Sequence, residues 1–242
     1  MAAWLPLHAG AAETVVIAAE DDWAPYSSAQ PGRAGPQGFA VDLVREAFAS
    51  QGIVVRFELV PFGRCMFLAR TGAAAGCFNA SPTAENQDQY HWHATPMFRE
   101  DLAIFGLATD ARTGLGLQDL EGKTVGHTLG YMNPDEFTAN PRIRRRSAKS
   151  DALLLMMLAA GRVDYILMDA MPGALRIARD PSLRGRIKPV GSISTNGFWV
   201  AFSRSRPDGR HLADTFERGL AALKASGRYQ ALDQAFRRRI AP

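Results

Sequence analysis

The chain has 242 residues, 47% of them hydrophobic and 21% charged, with a formal net charge of +4. That balance excludes a disordered or fibrous chain, and the length allows one large domain or two modest ones, each with its own core. No apolar run approaches the roughly 18–20 residues of a membrane-crossing helix; the longest, 152–160, ends in Gly161-Arg162. Bases concentrate in Arg142 with Arg144-Arg145-Arg146 and in Arg237-Arg238-Arg239. They lack interleaved aromatics or a DNA-reading motif, so they read as solvated faces and no nucleic-acid partner is expected.

In chain order, residues 1–12 come first. Met1–Leu7 is apolar, and Ala9-Gly10-Ala11 has the small-x-small form of a signal-peptidase site, without a basic stretch before it. This segment reads as the back end of a signal peptide or a disordered tail, and hence as a sign of export. Thr14–Ala19 has strand character, Phe39–Ser50 carries apolar residues at helical spacing, and Ile53–Val60 returns to strand. Phe62–Thr71 reads as a helix closed by Gly72, and Ala73–Asn79 as a short strand. This β-α-β-α-β order predicts a parallel, right-handed α/β sheet.

The second half repeats the pattern. Thr124–Thr128 is a predicted strand; a helix follows from Pro134, with Asn133 as its N-cap. Ser150–Ala160 is an apolar helix with Ser150 as N-cap, Val163–Met168 a strand, and Ala170–Arg179 a helix stopped by Pro181. Phe198–Phe202 is strand-like, and Arg210–Ala225 and Tyr229–Ile240 read as terminal helices. Phe98–Leu107, extended and apolar, falls between the two α/β units. Two lobes follow, joined by crossings near Met97–Leu102 and Pro189–Thr195: 13–99 with 193–242 form lobe one, and 100–192 lobe two.

No Gly-x-Ser-x-Gly, Walker or Gly-x-Gly-x-x-Gly motif occurs, which removes the usual hydrolase and nucleotide readings. His91-Trp92-His93 has no neighbouring ligand to complete a tetrahedral metal set, and Glu20-Asp21-Asp22 lacks the spacing of a calcium loop. No cofactor is expected. The two cysteines, Cys65 and Cys77, fit either a disulfide in an oxidising compartment or two buried thiols.

Several short motifs occur in a particular order. They are Trp23-Ala24-Pro25-Tyr26, Gly38-Phe39-Ala40-Val41-Asp42-Leu43, Ser81-x-Thr83, and Leu117-x-Asp119-Leu120-Glu121-Gly122-Lys123. Leu158-Ala159-Ala160-Gly161-Arg162-Val163-Asp164 with Asp169, and then Gly227-Arg228-Tyr229, complete the set. Over about 14–240 the sequence resembles the type II periplasmic solute-binding proteins of polar amino-acid ABC transporters.

The resemblance implies a ligand held between lobes, beyond the carboxyl ends of the strands. It implies an aromatic floor and acidic contact from Trp23, Tyr26 and Glu20, and donors to a ligand carboxylate from Asn79, Ser81 and Thr83. Tyr131 would come from lobe two, and Asp169 would bind an α-ammonium. It further implies a monomer that hands its cargo to an ABC permease in the inner membrane.

One position departs from the family. Where the amino-acid binders carry an arginine that grips the α-carboxylate, this chain has Asn86, which cannot replace that charge. Arg64 or Arg99 could supply a cation instead, or the ligand is not an acid. The alternatives to transport are a periplasmic enzyme like the cyclohexadienyl dehydratases, with Glu20 or Asp169 as its acid, and a sensor domain for a signalling partner.

Overall fold

The computed structural model describes residues 13–240; the signal-peptide reading of 1–12 lies outside the described residues. Eleven strands are present among them. They are β1 (Thr14–Glu20), β2 (Asp22–Trp23), β3 (Ser27–Ser28), β4 (Val54–Val60), β5 (Gly76–Ala80) and β6 (Tyr90–Trp92), followed by β7 (Phe98–Leu107), β8 (Thr124–Thr128), β9 (Arg144–Ala148), β10 (Tyr165–Asp169) and β11 (Ile187–Ser203). The helices are α1 (Phe39–Ala49), α2 (Phe62–Thr71), α3 (Asp135–Thr138), α4 (Asp151–Ala159), α5 (Ala170–Arg179), α6 (Gly209–Ala225) and α7 (Arg228–Ile240).

Nine of the strands form one sheet in the order β4-β1-β5-β11-β7-β10-β8-β9, with β6 on β11, and β2 pairs with β3 apart from it. It is mixed, not wholly parallel as the alternation predicts. β1 is parallel to β4 and β5, and β8 to β9 and β10, but β11 runs antiparallel to β5, β6 and β7. A chain that leaves one lobe and later returns must traverse the junction in opposite senses. β7 and β11 are those two traverses, paired from Phe98↔Phe198 to Leu107↔Ile187.

Apolar side chains gather on both sides of this ribbon. One set of cores joins β1, α1, α2, β5, α6 and α7, with Phe48, Phe78, Phe202 and Phe216 fully buried. Another joins β7, β8, α4 and β10, around Phe105, Phe137, Leu154 and Tyr165. The architecture is thus two α/β lobes joined by two strands.

Local chemistry sets several boundaries. Gly72 closes α2 in the left-handed region (φ 81°). Ser150 caps α4, its Oγ accepting from Leu153 N at 3.3 Å. Asn133 does not cap α3: Pro134, extended at ψ 144°, holds the N-cap position and the helix begins at Asp135. The residue before a proline is steered away from helical backbone, and a proline can also be the last extended residue.

Cys65 on α2 and Cys77 on β5 are joined by a disulfide. The arginines of 142–145 are held locally. Arg142 pairs with Glu121 at 2.6 Å, while Arg144 and Arg145 donate to the carbonyls of Gly122 and Asn140, each at 2.7 Å.

Candidate functional site

The carboxyl end of β1 delivers Glu20 to the junction between lobes, and a tight loop through Trp23 and Tyr26 follows it. That loop is fastened to α1, where Phe39 N donates to Pro25 O (3.2 Å) and Ala40 N to Tyr26 O (3.1 Å). Gly38 permits the approach: it sits at φ 146°, and a Cβ there would lie 2.1 Å from Tyr26 O.

The loop is buried, contrary to the exposed aromatic floor expected from its sequence. Tyr26 stacks on Phe98 (centroids 4.6 Å apart), and its hydroxyl donates to Glu100. Glu100 also accepts from Met171 N at 2.7 Å. Tyr26 is therefore a core residue and not part of the cavity wall. Trp23, packed 5.0 Å from Phe198, has 2% exposure yet still forms part of that wall.

The cavity lies between the lobes. Lobe one contributes Glu20, Trp23, Phe62, Asn79, Ser81 and Phe198. Lobe two contributes Leu102, Thr128, Tyr131, Met132, Asn133, Leu167, Met168 and Asp169. Phe62, Leu102, Thr128, Met132, Asn133, Phe198 and the Leu167–Met168 pair were missed in the sequence. Strand ends could have pointed to some of them: Thr128 ends β8, and Leu167 and Met168 precede Asp169 at the end of β10.

Two carboxyls dominate its chemistry. Glu20 accepts the Tyr131 hydroxyl at 2.6 Å across the interlobe gap. Burial pushes its pKa up to about 8, opposed by the Tyr131 hydrogen bond and reinforced by Asp151 and Asp169. Asp169 precedes α5 but makes no side-chain cap. Burial raises its pKa well above the usual carboxylate range; Glu100 and Asp151 add to this, and a hydrogen bond with Trp23 opposes it. Asn79 stands beside them at φ 63°, an unusual backbone for a non-glycine residue. Both its amide atoms are buried without a partner. A buried amide left so is costly unless something in the cavity completes it. None of the described residues lining the cavity is arginine or lysine.

The remaining predicted residues fall elsewhere or turn away. Ser81 is in the wall, but its hydroxyl donates to Gly197 O at 2.7 Å. Thr83 and Asn86 line a separate outer groove. Asn86 braces the 81–86 loop, its Oδ1 accepting from Thr83 N (2.8 Å) and its Nδ2 donating to Ser81 O (3.1 Å). Arg64 is exposed, 5.4 Å over the Phe67 ring, and Arg99 is exposed on β7. Neither is in the cavity wall. A second bridge spans the lobes: Arg176 of α5 donates to Asp22 Oδ1 at 2.9 Å and lies 3.5 Å from Asp151.

Two α/β lobes on a two-strand junction, with a cavity at the strand ends between them, define a periplasmic-binding-protein-like fold. Residues 15–238 match the model of the bacterial extracellular solute-binding proteins, family 3, and the chain belongs to that family. Solved structures agree on the fold. A histidine kinase sensor domain with similarity to periplasmic binding proteins aligns at TM-score 0.81 and 23% identity, over 92% of this chain and 95% of that one. An amino acid ABC transporter substrate-binding protein from Streptococcus pneumoniae, bound to L-arginine, aligns at TM-score 0.77 and 18% identity, over 95% and 97%. A mutant of the arginine-binding protein from T. maritima gives 0.76 and 20%, over 92% and 94%. The sequence matches no curated protein. Among the described residues, no helix is long and apolar enough to cross a membrane.

Proposed function

We propose that this protein is an extracytoplasmic receptor that captures one small molecule between its lobes for an ABC-type importer. The unpartnered Asn79 amide carries the reading, because a buried polar group left without a partner beside a cavity calls for a polar guest. The lobes part for entry by flexing at the crossings near Met97–Leu102 and Pro189–Thr195. β11 is already irregular there, its register against β7 shifting between Pro189 and Gly191 and again between Ser192 and Ser194. Glu20–Tyr131 and Asp22–Arg176 join the lobes across the gap, and ligand adds to closure by touching both lobes at once. The receptor acts as a monomer, all its cavity coming from one chain, and the inner-membrane permease reads the closed shape.

The dehydratase alternative needs a cleft acid acting on a carboxylated ring. A cavity walled by two carboxyls, with no facing arginine or lysine, is a poor host for that anion. The sensor alternative shares the capture step and differs in the partner.

Calorimetry and small-angle scattering against a broad metabolite library test the reading. One-to-one binding with compaction and no product is expected. Turnover of a bound compound, or saturable binding without compaction, would overturn it.

A further inference from the structure

We propose, on the basis of the receptor reading above, that the ligand is an organic amine without a carboxylate. In the loop after β5, the Ser81 donors, Thr83 N and the Asn86 amide are occupied from within the protein. Met132 Sδ lies 3.2 Å from Ser81 N and 3.4 Å from Asn86 Nδ2. Asn86 Oδ1 takes Thr83 N at 2.8 Å, and Gly197 O takes the Ser81 hydroxyl at 2.7 Å. A thioether is a weak, neutral acceptor. Met132 therefore fills the place of an anion without its charge, and Asn86 locks the loop around it.

The carboxyl-bearing part of the cavity wall has the reverse character. Glu20 is buried there and Asp169 half-buried, and none of the lining residues is an arginine or lysine. The Asn79 Oδ1 adds a third acceptor, without a partner of its own. Buried carboxyls call for a cation or a proton, and an ammonium donating to these three acceptors supplies the cation. Trp23, Phe62 and Phe198, also in the wall, suit an apolar body. An amino acid would satisfy the acidic part and bury its carboxylate against sulfur and ring faces, which is strongly unfavourable.

Pairs of compounds differing only in the carboxylate isolate this property: phenethylamine with phenylalanine, isoamylamine with leucine, agmatine with arginine. In calorimetry, one or more amines should bind at least about a hundredfold more tightly than the matching amino acid. Met132→Gly, checked for folding by circular dichroism, should narrow that ratio at least about tenfold by freeing Ser81 N. An amino acid that equals or exceeds its amine overturns the proposal, as does a ratio that Met132→Gly leaves unchanged. If the lobes close on a neutral or anionic compound and on no amine, the ligand class falls while the receptor reading stands. If no compound in the library closes them, both fall.

Discussion

Glu20 gives the sharpest test of the site's electrostatics. Its carboxyl is buried, and its pKa rises from 4.5 to about 8. A raised acid pKa means that the folded state holds a proton the unfolded chain releases. Its contribution to stability is therefore present below about pH 4.5 and is lost as pH climbs to about 8. At about 1.4 kcal/mol per pH unit, the full span is on the order of 5 kcal/mol. Opening of the cleft rehydrates the ionised carboxylate and caps the loss, so about 2 kcal/mol is the expected observable. Glu20→Gln keeps the shape and the acceptor for Tyr131 but cannot ionise. Urea unfolding of ligand-free protein at pH 5 and pH 8.5 should show the variant gaining about 2 kcal/mol on the wild type between the two conditions. Asp169, Glu100 and Asp151 are shifted in the same direction, and the double difference removes their share. A variant-minus-wild-type difference that does not change with pH would refute the assignment of a buried, protonated Glu20.

Two further outcomes follow from contacts away from the cavity wall. Arg176→Ala removes the bridge to Asp22 and leaves Asp151 without its guanidinium; apparent ligand affinity should fall about five- to tenfold as closure becomes less favourable. Scattering should show the variant compacting less than the wild type at saturating ligand, and an equal compaction would contradict a closing role. The Cys65–Cys77 bond closes a loop across a sequence separation of 12. Replacing both cysteines by alanine should lower stability by about 3 kcal/mol, read as a drop in the urea midpoint, with no loss if the bond is only decorative.

The α/β alternation was legible because its signals are local: helical spacing in Phe39–Ser50, Gly72 and Gly161 as stops, Ser150 as a cap. Order and spacing of short motifs then pointed to the family. What escaped depended on distant partners. β9 was invisible because four of its five residues, Arg144 to Ser147, are exposed, leaving no alternation to read. β11 runs through the polar stretch Ser192–Asn196, which has little strand character of its own and is held by pairing with β7. Trp23 and Tyr26 look like loop aromatics beside a proline. Their burial comes from Phe98 and Phe198, whose proximity no local pattern reveals. At Asn86 the missing charge was legible, but the Met132 sulfur that stands over it was not.

The disulfide has a consequence for which part of the cavity wall can change. It ties α2 to β5, and those elements carry Phe62 and Asn79 to the cavity wall. This cross-linked part of lobe one is the anvil of the cavity, its two elements unable to shift against each other. Accommodation of a different guest falls to the opposing face, the short stretch Tyr131-Met132-Asn133 after Gly130 (φ 83°). Variation in cargo among descendants of this chain should therefore be written in those three residues before it is written in the anvil.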